Sequence, residues 1–287
     1  MKTVSADGDT IDTALSAAVF IDSHCHFDFS DFDGEREKIW QACQSAGVLA
    51  TIIPGVAPEQ WPRAKKLCQN FNATYFSVGI HPWWISQLFS ENAEVESVIE
   101  NLRGKQRKAL QSDKCVAVGE CGLDKMIKTS PNLQYDVFDF QVALAAEYGK
   151  PLIIHSRKAH GEVMHHIKHH QPSGGGVIHA FSGSYEAAVQ FIDRGFYIGV
   201  GGTITYERAK KTRDAIKSIP LDAIVLETDA PDMPLHGRQG QRNSPEFIPD
   251  IAQVLADLKG EALERVAQKT TENACRLFSL RCESFGV

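Results

Sequence analysis

The stretch Ala18-Val-Phe-Ile-Asp-Ser-His-Cys-His26 joins a short, strand-like apolar run to two histidines. Successive side chains of a strand point to opposite faces, so His24 and His26 share one face while Cys25 points to the other. Polar side chains at the end of an apolar strand are costly to bury unless something satisfies them. The stretch therefore predicts a buried strand that brings two imidazoles to one place.

Seven further apolar, β-rich runs follow the first, and segments with helical periodicity separate them. The eight runs cover residues 18–23, 49–54, 75–80, 115–119, 151–154, 176–178, 196–200 and 223–227. Amphipathic segments between the runs include residues 35–46, 131–148, 185–194 and 208–219. This alternation is typical of repeated βα units and a parallel sheet, and eight such units predict an α/β fold of the TIM (β/α)8 barrel type.

The end of the chain, residues 244–280, predicts two extra helices separated near Gly260. No linker, low-complexity run or charge block marks a second domain. We therefore expect a polar N-terminal extension over residues 1–17, a single barrel domain with extra C-terminal helices over residues 18–280, and a C-terminal tail over residues 281–287.

Composition limits the location and the partners of the chain. The formal charge of −6 over 287 residues argues against a broad basic face that coats duplex nucleic acid, although a local basic rim stays compatible with it. The first twenty residues contain three aspartates and no basic segment followed by an apolar one, so we expect no secretory signal. No run of eighteen apolar residues occurs, and seven scattered cysteines lack a C-x-x-C pair. These features predict a soluble, cytoplasmic protein with reduced thiols.

Metal-ligand residue types follow most of the predicted strands. They are His24, His26, Glu120, His155, His179 and Asp229. A single histidine is weak evidence for a site, but the C-terminal ends of all barrel strands converge, so these side chains should meet. Imidazole and carboxylate ligands suit zinc, manganese, iron or magnesium. The pattern predicts a metal centre, and two metals bridged by one carboxylate would form a hydrolytic site.

The sequence resembles the TatD family of metal-dependent hydrolases, within the amidohydrolase-like barrel group, over residues 19–280. The resemblance is carried by seven ordered motifs: Phe20-Ile-Asp-Ser-His-Cys-His-Phe-Asp28, Gly79-Ile-His-Pro82, Val118-Gly-Glu-Cys-Gly-Leu-Asp124, His155-Ser-Arg157, His179-Ala-Phe-Ser-Gly183, Gly199-Val-Gly-Gly-Thr203 and Glu227-Thr-Asp-Ala-Pro231. So many motifs in one order make the resemblance specific.

The resemblance implies a two-metal site and nuclease chemistry. One metal would be held by His24, His26 and Asp229, and a second by His155 and His179, with Glu120 bridging both metals. Asp229 would also accept the proton of the attacking water. Deoxyribonuclease activity, often from a 3′ end, is implied for at least some members. The chain departs from the family after Gly-Leu-Asp124, where many members carry an aromatic and then a basic residue and this chain has Lys125-Met126-Ile127.

Several other residues have two open interpretations. His81 follows the third strand and Arg157 follows the fifth, and we predict that both bind substrate rather than only fix a loop or form a structural ion pair. Trp83 and Trp84 could stack on a nucleobase or pack the loop. The basic segment 208–213 could meet a polyanion or lie on a solvated helix. The histidine-rich segment 165–170 is predicted to be a solvated surface.

The leading hypothesis from the sequence is a deoxyribonuclease that acts on DNA ends with two divalent metal ions, zinc, manganese or magnesium, per chain. The alternatives are a two-metal amidase, lactonase or small phosphoester hydrolase, because the same ligands activate water for attack on carbon or phosphorus. A metal-binding scaffold is a third alternative, against which the intact Glu120 and Asp229 weigh. DNA ends or another phosphoester are the expected partners, with neither a membrane nor an obligate protein partner.

Overall fold

The computed structural model describes residues 18–90 and 94–285, so the predicted N-terminal extension, residues 1–17, lies outside the described residues. Eight strands and ten α-helices occur in this part of the chain. Strands β1 to β8 span Phe20–Asp22, Val48–Ile53, Thr74–Val78, Cys115–Asp124, Leu152–Arg157, Gly176–Ile178, Phe196–Val200 and Ile224–Leu226. Helices α1 to α10 span Arg36–Ser45, Trp61–Asn70, Pro82–Leu88, Val95–Leu110, Pro131–Tyr148, His160–His170, Tyr185–Ile192, Lys210–Ser218, Ile248–Lys259 and Leu263–Phe278.

The strands form one sheet in which each strand pairs in parallel with the next, from β1 to β8. The last strand returns to the first, since the Ser23 amide donates to the Leu226 carbonyl at 2.9 Å. Beyond the strand ends, the Asp229 amide donates to the His24 carbonyl at 2.9 Å. These bonds close the barrel, and the predicted TIM barrel is confirmed.

Two apolar layers hold the barrel together. The larger one lies between the strands and the surrounding helices. The smaller one fills the barrel interior, where Ile21, Ile52 and Ile153 pack in one cluster with Phe278 and Phe285. Phe278 ends α10, and Phe285 belongs to a short 3₁₀ helix over Cys282–Phe285. Helix α10 and this 3₁₀ helix therefore cover the N-terminal mouth of the barrel, and the polar residues lie at the opposite mouth.

Helix α10 is fixed to that mouth by hydrogen bonds as well as by packing. The Thr271 hydroxyl donates to the Val19 carbonyl at 2.7 Å, and the Asn273 amide donates to the carbonyls of Leu221 and Ile224 at 2.9 and 2.8 Å. The two helices predicted after β8 are present, and the first of them, α9, ends at Lys259, followed by Gly260 as its C-cap with a φ of 67° that suits a glycine.

Strand β4 is longer than the sequence predicted. The prediction ended it at Gly119, but it continues to Asp124, because residues 122 to 124 pair with His155 to Arg157 of β5. The register shifts between Gly119 and Cys121, which leaves Glu120 as the extra residue of a bulge. A bulge redirects one side chain, and here it aims the Glu120 carboxylate into the barrel mouth.

The seven cysteines form no disulfide, and six of them are buried, with Cys282 partly buried. Across residues 18–90 and 94–285, no helix combines the length and the apolar character that crossing a membrane requires.

Gly79 allows the close approach of β3 to the bulge in β4. A Cβ atom at this position would lie 2.2 Å from the Gly119 carbonyl carbon and 2.4 Å from the Glu120 carbonyl oxygen. We expect Gly79→Ala to lower the free energy of unfolding by about 3 kcal/mol, since two backbones must move apart. Urea denaturation measures this. The control is Gly104→Ala on the exposed face of α4, where a Cβ meets nothing within 4 Å and the change should stabilise by about 1 kcal/mol. Equal stability of the two variants would contradict the prediction.

Candidate metal centre

Six side chains that the sequence predicted as metal ligands meet at the C-terminal mouth of the barrel. They come from the ends of five strands: His24 and His26 after β1, Glu120 in β4, His155 in β5, His179 after β6 and Asp229 after β8. All lie within 4 Å of at least one other member. The convergence of barrel strands therefore brings the predicted residues together as the sequence implied.

The Glu120 carboxylate stands at the middle of this group, with its side chain only 3% exposed. Its Oε2 lies 3.3 Å from His24 Nε2 and 3.8 Å from His26 Nε2. Its Oε1 lies 3.2 Å from His155 Nδ1 and 3.9 Å from His179 Nε2. Each carboxylate oxygen therefore faces a different set of imidazoles, which is the arrangement of a carboxylate that can bridge two cations.

Asp229 lies beside His24 and His26, the two imidazoles that face Glu120 Oε2. Its Oδ1 is 3.5 Å from the Nε2 atoms of both His24 and His26, and 3.6 Å from His179 Nε2. The residue has a φ of 58°, a conformation that is unusual for a non-glycine residue and often marks a functional site. Its side chain is 16% exposed, so Asp229 is the more open of the two carboxylates.

Two further carboxylates set the orientation of the second imidazole pair. Asp124 Oδ2 lies 3.2 Å from His155 Nε2, and Glu227 Oε1 lies 3.1 Å from His179 Nδ1. A carboxylate that accepts the proton of one ring nitrogen leaves the other nitrogen with its lone pair free. For His155 this leaves Nδ1 free, 3.2 Å from Glu120 Oε1. His179 Nδ1 lies close to Glu227 but makes no hydrogen bond within the described part of the chain, and its Nε2 lies 3.9 Å from the same Glu120 oxygen.

The His24 ring supplies the clearest sign that a cation belongs here. It is completely buried, and neither of its nitrogens has a hydrogen-bond partner among the described residues. An unsatisfied buried polar group costs about 1–3 kcal/mol. The ring also stacks on His179 with centroids 3.5 Å apart, which is unfavourable if both rings are protonated. A divalent cation at His24 Nε2 would satisfy that nitrogen, so the donor set fits a metal.

Three groups of side chains at this mouth bring their ligand atoms within 4.8 Å of one another. They are His24 with His26 and Asp229, His24 with Glu120 and His179, and His81 with Glu120 and His155. The first group matches the predicted ligands of one metal. The other two place His155 and His179 in different groups that share Glu120, so the division of these ligands between cations stays a prediction.

The surrounding charges hold both carboxylates ionised. Burial alone would raise the pKa of Glu120, but the imidazoles of His81, His24 and His179 outweigh it and hold that pKa well below its usual range. Burial also acts to raise the pKa of Asp229, and nearby imidazoles, His179 foremost, lower it. Conversely, burial lowers the pKa of His24. Burial also acts to lower the pKa of His26, His155 and His179, but the nearby carboxylates outweigh it and raise all three, so these rings would release protons when a cation binds.

His81 is the predicted substrate residue nearest the centre. It caps α3, and its Nδ1 accepts a hydrogen bond from the Trp83 amide at 3.1 Å. Burial lowers its pKa to about 3, so the ring is neutral at physiological pH. Because Nδ1 accepts, the proton of the neutral ring sits on Nε2, which lies 3.4 Å from Glu120 Oε1. His81 therefore presents a donor to the site.

The other predicted contacts lie further from the centre. Arg157 is exposed at the end of β5, two residues beyond His155. Trp83 is half exposed and Trp84 partly buried at the start of α3. In the histidine-rich helix α6, His166 Nδ1 and His170 Nε2 lie 3.0 and 2.7 Å from Asp139 Oδ1, so these two rings bind a neighbouring helix.

Sequence reasoning missed the residues that support the ligands. Asp22 is completely buried and accepts hydrogen bonds from the Thr228 hydroxyl at 2.6 Å and from the His24 amide at 3.1 Å. It thus fixes the end of β1 to the loop after β8. The roles of Asp124 and Glu227 also went unassigned. The available signal was the position of each acid: Asp22 and Glu227 lie two residues before a ligand, and Asp124 lies four residues after Glu120.

Comparison with known proteins finds relatives over nearly the whole chain. The family model described as TatD related DNase matches residues 21–279. The chain is 40% identical over 263 residues to the uncharacterized metal-dependent hydrolase YjjV of Escherichia coli K12, covering 91% of this chain and 98% of that protein. It is 32% identical over 259 residues to the 3′-5′ ssDNA/RNA exonuclease TatD of Pantoea ananatis, covering 88% and 96%.

Solved structures show the same architecture. The crystal structure of YjjV from Escherichia coli superimposes with a TM-score of 0.84 and covers 93% of this chain and all of that one. A TatD family hydrolase from Entamoeba histolytica, at 22% identity, has a TM-score of 0.77 over 92% of this chain and supports the fold alone.

The contact between Asp124 and His155 yields a prediction about metal affinity. We expect Asp124→Asn to weaken binding of one cation by about 10- to 100-fold, because the amide no longer fixes the ring with a full negative charge. Titration of metal-free protein with Mn²⁺ measures this. The control is Asp139→Asn, which removes an equivalent carboxylate from His166 on the outer surface and should leave both affinities unchanged. Equal affinities in the two variants would contradict the role of Asp124.

Proposed function

This chain belongs to the TatD family of metal-dependent hydrolases, and we propose that it is a deoxyribonuclease that hydrolyses phosphodiester bonds at DNA ends. The observation that carries the proposal is the position of Glu120, whose two oxygens face two sets of imidazoles. His24, His26 and Asp229 would hold one divalent cation, His155 and His179 a second, and Glu120 both.

Two cations held in this way would lower the pKa of a water and neutralise charge on the phosphoryl oxygens. The combination of imidazole and carboxylate ligands suits zinc, manganese or magnesium. Two ions per chain is a proposal that rests on the sharing of Glu120, since a single carboxylate with one oxygen on each side can serve both.

The protein groups around the centre have separate tasks. Asp229 is ionised and more open than Glu120, so it is the carboxylate that can take a proton from the attacking water. His81 presents its Nε2 proton toward the mouth and can donate to a phosphate oxygen or to the leaving oxygen. Arg157, exposed at the end of β5, can pair with a phosphate on the substrate.

A DNA end fits the charge of the molecule. The net charge of −6 does not favour the coating of duplex DNA, whereas a strand end needs only a few local contacts at the mouth. A relative that is 32% identical bears the name of an exonuclease on single-stranded DNA and RNA. We place the enzyme in the cytoplasm on the sequence alone, with a phosphoester as its partner.

The test is an activity assay on purified, metal-loaded protein with three substrates: single-stranded DNA, a model phosphodiester and a model carboxylate ester. We expect cleavage of DNA from its ends and of the phosphodiester, with little turnover of the ester. Hydrolysis of the ester alone would instead assign the amidase or lactonase alternative. Metal binding without turnover of any of the three substrates would favour the metal-binding scaffold.

Glu120→Ala should lose both cations together, because one carboxylate serves two ions and its removal leaves them facing each other unscreened. Metal analysis of the purified variant gives the number of equivalents per chain. Glu120→Gln keeps the shape without the charge and should also bind less than two equivalents. A Glu120→Ala protein that retains two equivalents would refute the bridging role.

Asp229→Asn should lower kcat by about 10² to 10⁴, the usual contribution of a general base, while KM changes little. The amide keeps the size of the side chain and some capacity to bind a metal, so metal content is measured alongside turnover of the model phosphodiester. A variant with its full metal content and a kcat within a few-fold of the unmodified enzyme would show that Asp229 is a ligand and not the base.

A further inference from the structure

Two large apolar residues, Trp83 and Met126, are half exposed beside the metal centre, at 50% and 52% of their full surface. From their geometry we propose that they form a subsite that stacks against the nucleobase next to the phosphodiester being cleaved. This inference rests on the proposed nuclease function and specifies how the enzyme holds its substrate.

One buried carboxylate holds both residues in place. Asp124 Oδ2 accepts a hydrogen bond from the Trp83 indole nitrogen at 2.9 Å, and Asp124 Oδ1 accepts one from the Met126 amide at 2.8 Å. The side chain of Asp124 is completely buried. The indole and the start of the loop after β4 therefore lie on the two sides of a single carboxylate.

The same carboxylate connects the subsite to the metal centre. Asp124 Oδ2 lies 3.2 Å from His155 Nε2, and His155 Nδ1 lies 3.2 Å from Glu120 Oε1. Two short contacts thus separate the indole from the residue that faces the second cation. The indole and the ligand ring of His155 therefore share one carboxylate, which places the indole at the edge of the metal centre.

The Trp83 ring is suited to stacking because its surroundings hold it in one orientation. Its only polar atom is already used by Asp124, and His81 packs edge-on against it with centroids 5.5 Å apart. Trp84 lies nearly parallel to it, 6.4 Å away at 20°. A fixed aromatic ring with exposed surface binds a base with little loss of conformational entropy, and it tolerates any base because each has a π-face.

The loop that departs from the family pattern completes the subsite. Lys125 forms an ion pair with Glu162 of α6, so its charge is directed away toward that helix. Met126, the next residue, is an exposed apolar residue whose amide binds the same Asp124 carboxylate as the Trp83 indole. Its flexible thioether can adapt to bases of different size and makes favourable contacts with aromatic rings.

Binding of a nucleotide and of its base-free counterpart tests the subsite without any cleavage. Calorimetry of the full-length, metal-loaded protein would compare 2′-deoxyadenosine 5′-monophosphate with 2-deoxyribose 5-phosphate. We expect tighter binding of the nucleotide, and Trp83→Ala should weaken it by about 5- to 100-fold, the range found when a stacking aromatic is removed. Affinity for the sugar phosphate should stay within about twofold.

Two further variants separate stacking from support of the site. Trp83→Phe keeps a ring but loses the hydrogen bond to Asp124, so it should retain most of the preference for the nucleotide. Tyr148→Ala removes an exposed aromatic ring at the far end of α5 and should change neither affinity. Metal content is measured in each variant, because loss of metal would weaken both ligands equally.

The outcomes distinguish this inference from the proposed function. No preference for the nucleotide in the unmodified protein, or an equal loss for both ligands in Trp83→Ala with its metal intact, would overturn the subsite. A protein that shows the base preference but cleaves no DNA would retain the subsite and refute the nuclease activity. A protein that cleaves DNA but shows no preference for the nucleotide would refute the subsite and retain the nuclease activity.

Discussion

The site depends on one carboxylate that is shared between two sets of imidazoles. Glu120 is buried among His24, His26, His155 and His179, and its two oxygens divide these rings into pairs. The Glu120 side chain reaches this position only if its strand directs it toward the barrel axis. The bulge in β4 and the close approach of Gly79 to that bulge supply this geometry. The other predicted ligands at this mouth lie around the two carboxylate oxygens of Glu120.

A second group of buried acids, Asp22, Asp124 and Glu227, lies behind the predicted metal ligands. Asp124 accepts a hydrogen bond from His155 Nε2 and leaves Nδ1 free for a cation, Glu227 places its Oε1 3.1 Å from His179 Nδ1, and Asp22 fixes the backbone on which His24 stands. Each of these acids is costly to bury. Burial raises the pKa of Asp22 to about 8, despite its hydrogen bonds to Thr228 and His24. The free-energy cost of burying these acids is explained by their role, since the orientation of the metal ligands depends on them.

The sequence predicted the barrel and the ligand residues because both depend on local pattern and on one geometric rule. Apolar runs mark the strands, and parallel strands in a barrel place their C-terminal ends together, so His155 and Asp229 could be expected to meet although 74 residues separate them. The family resemblance then divided the ligands between two metals, a division that stays a prediction. The extension of β4 to Asp124 was not predictable, because it follows from pairing with β5 and not from the residues themselves. The contacts of His166 and His170 with Asp139 depend on how α5 and α6 pack, which is also invisible in sequence.

The central claim is that Glu120 joins two cations. Its most direct test is anomalous diffraction from crystals of the protein grown with Mn²⁺. The account predicts two peaks at the C-terminal mouth, each about 2.0–2.2 Å from a different oxygen of Glu120, one near His24 and His26 and the other near His155 and His179. A single peak, or two peaks of which only one contacts Glu120, would contradict it.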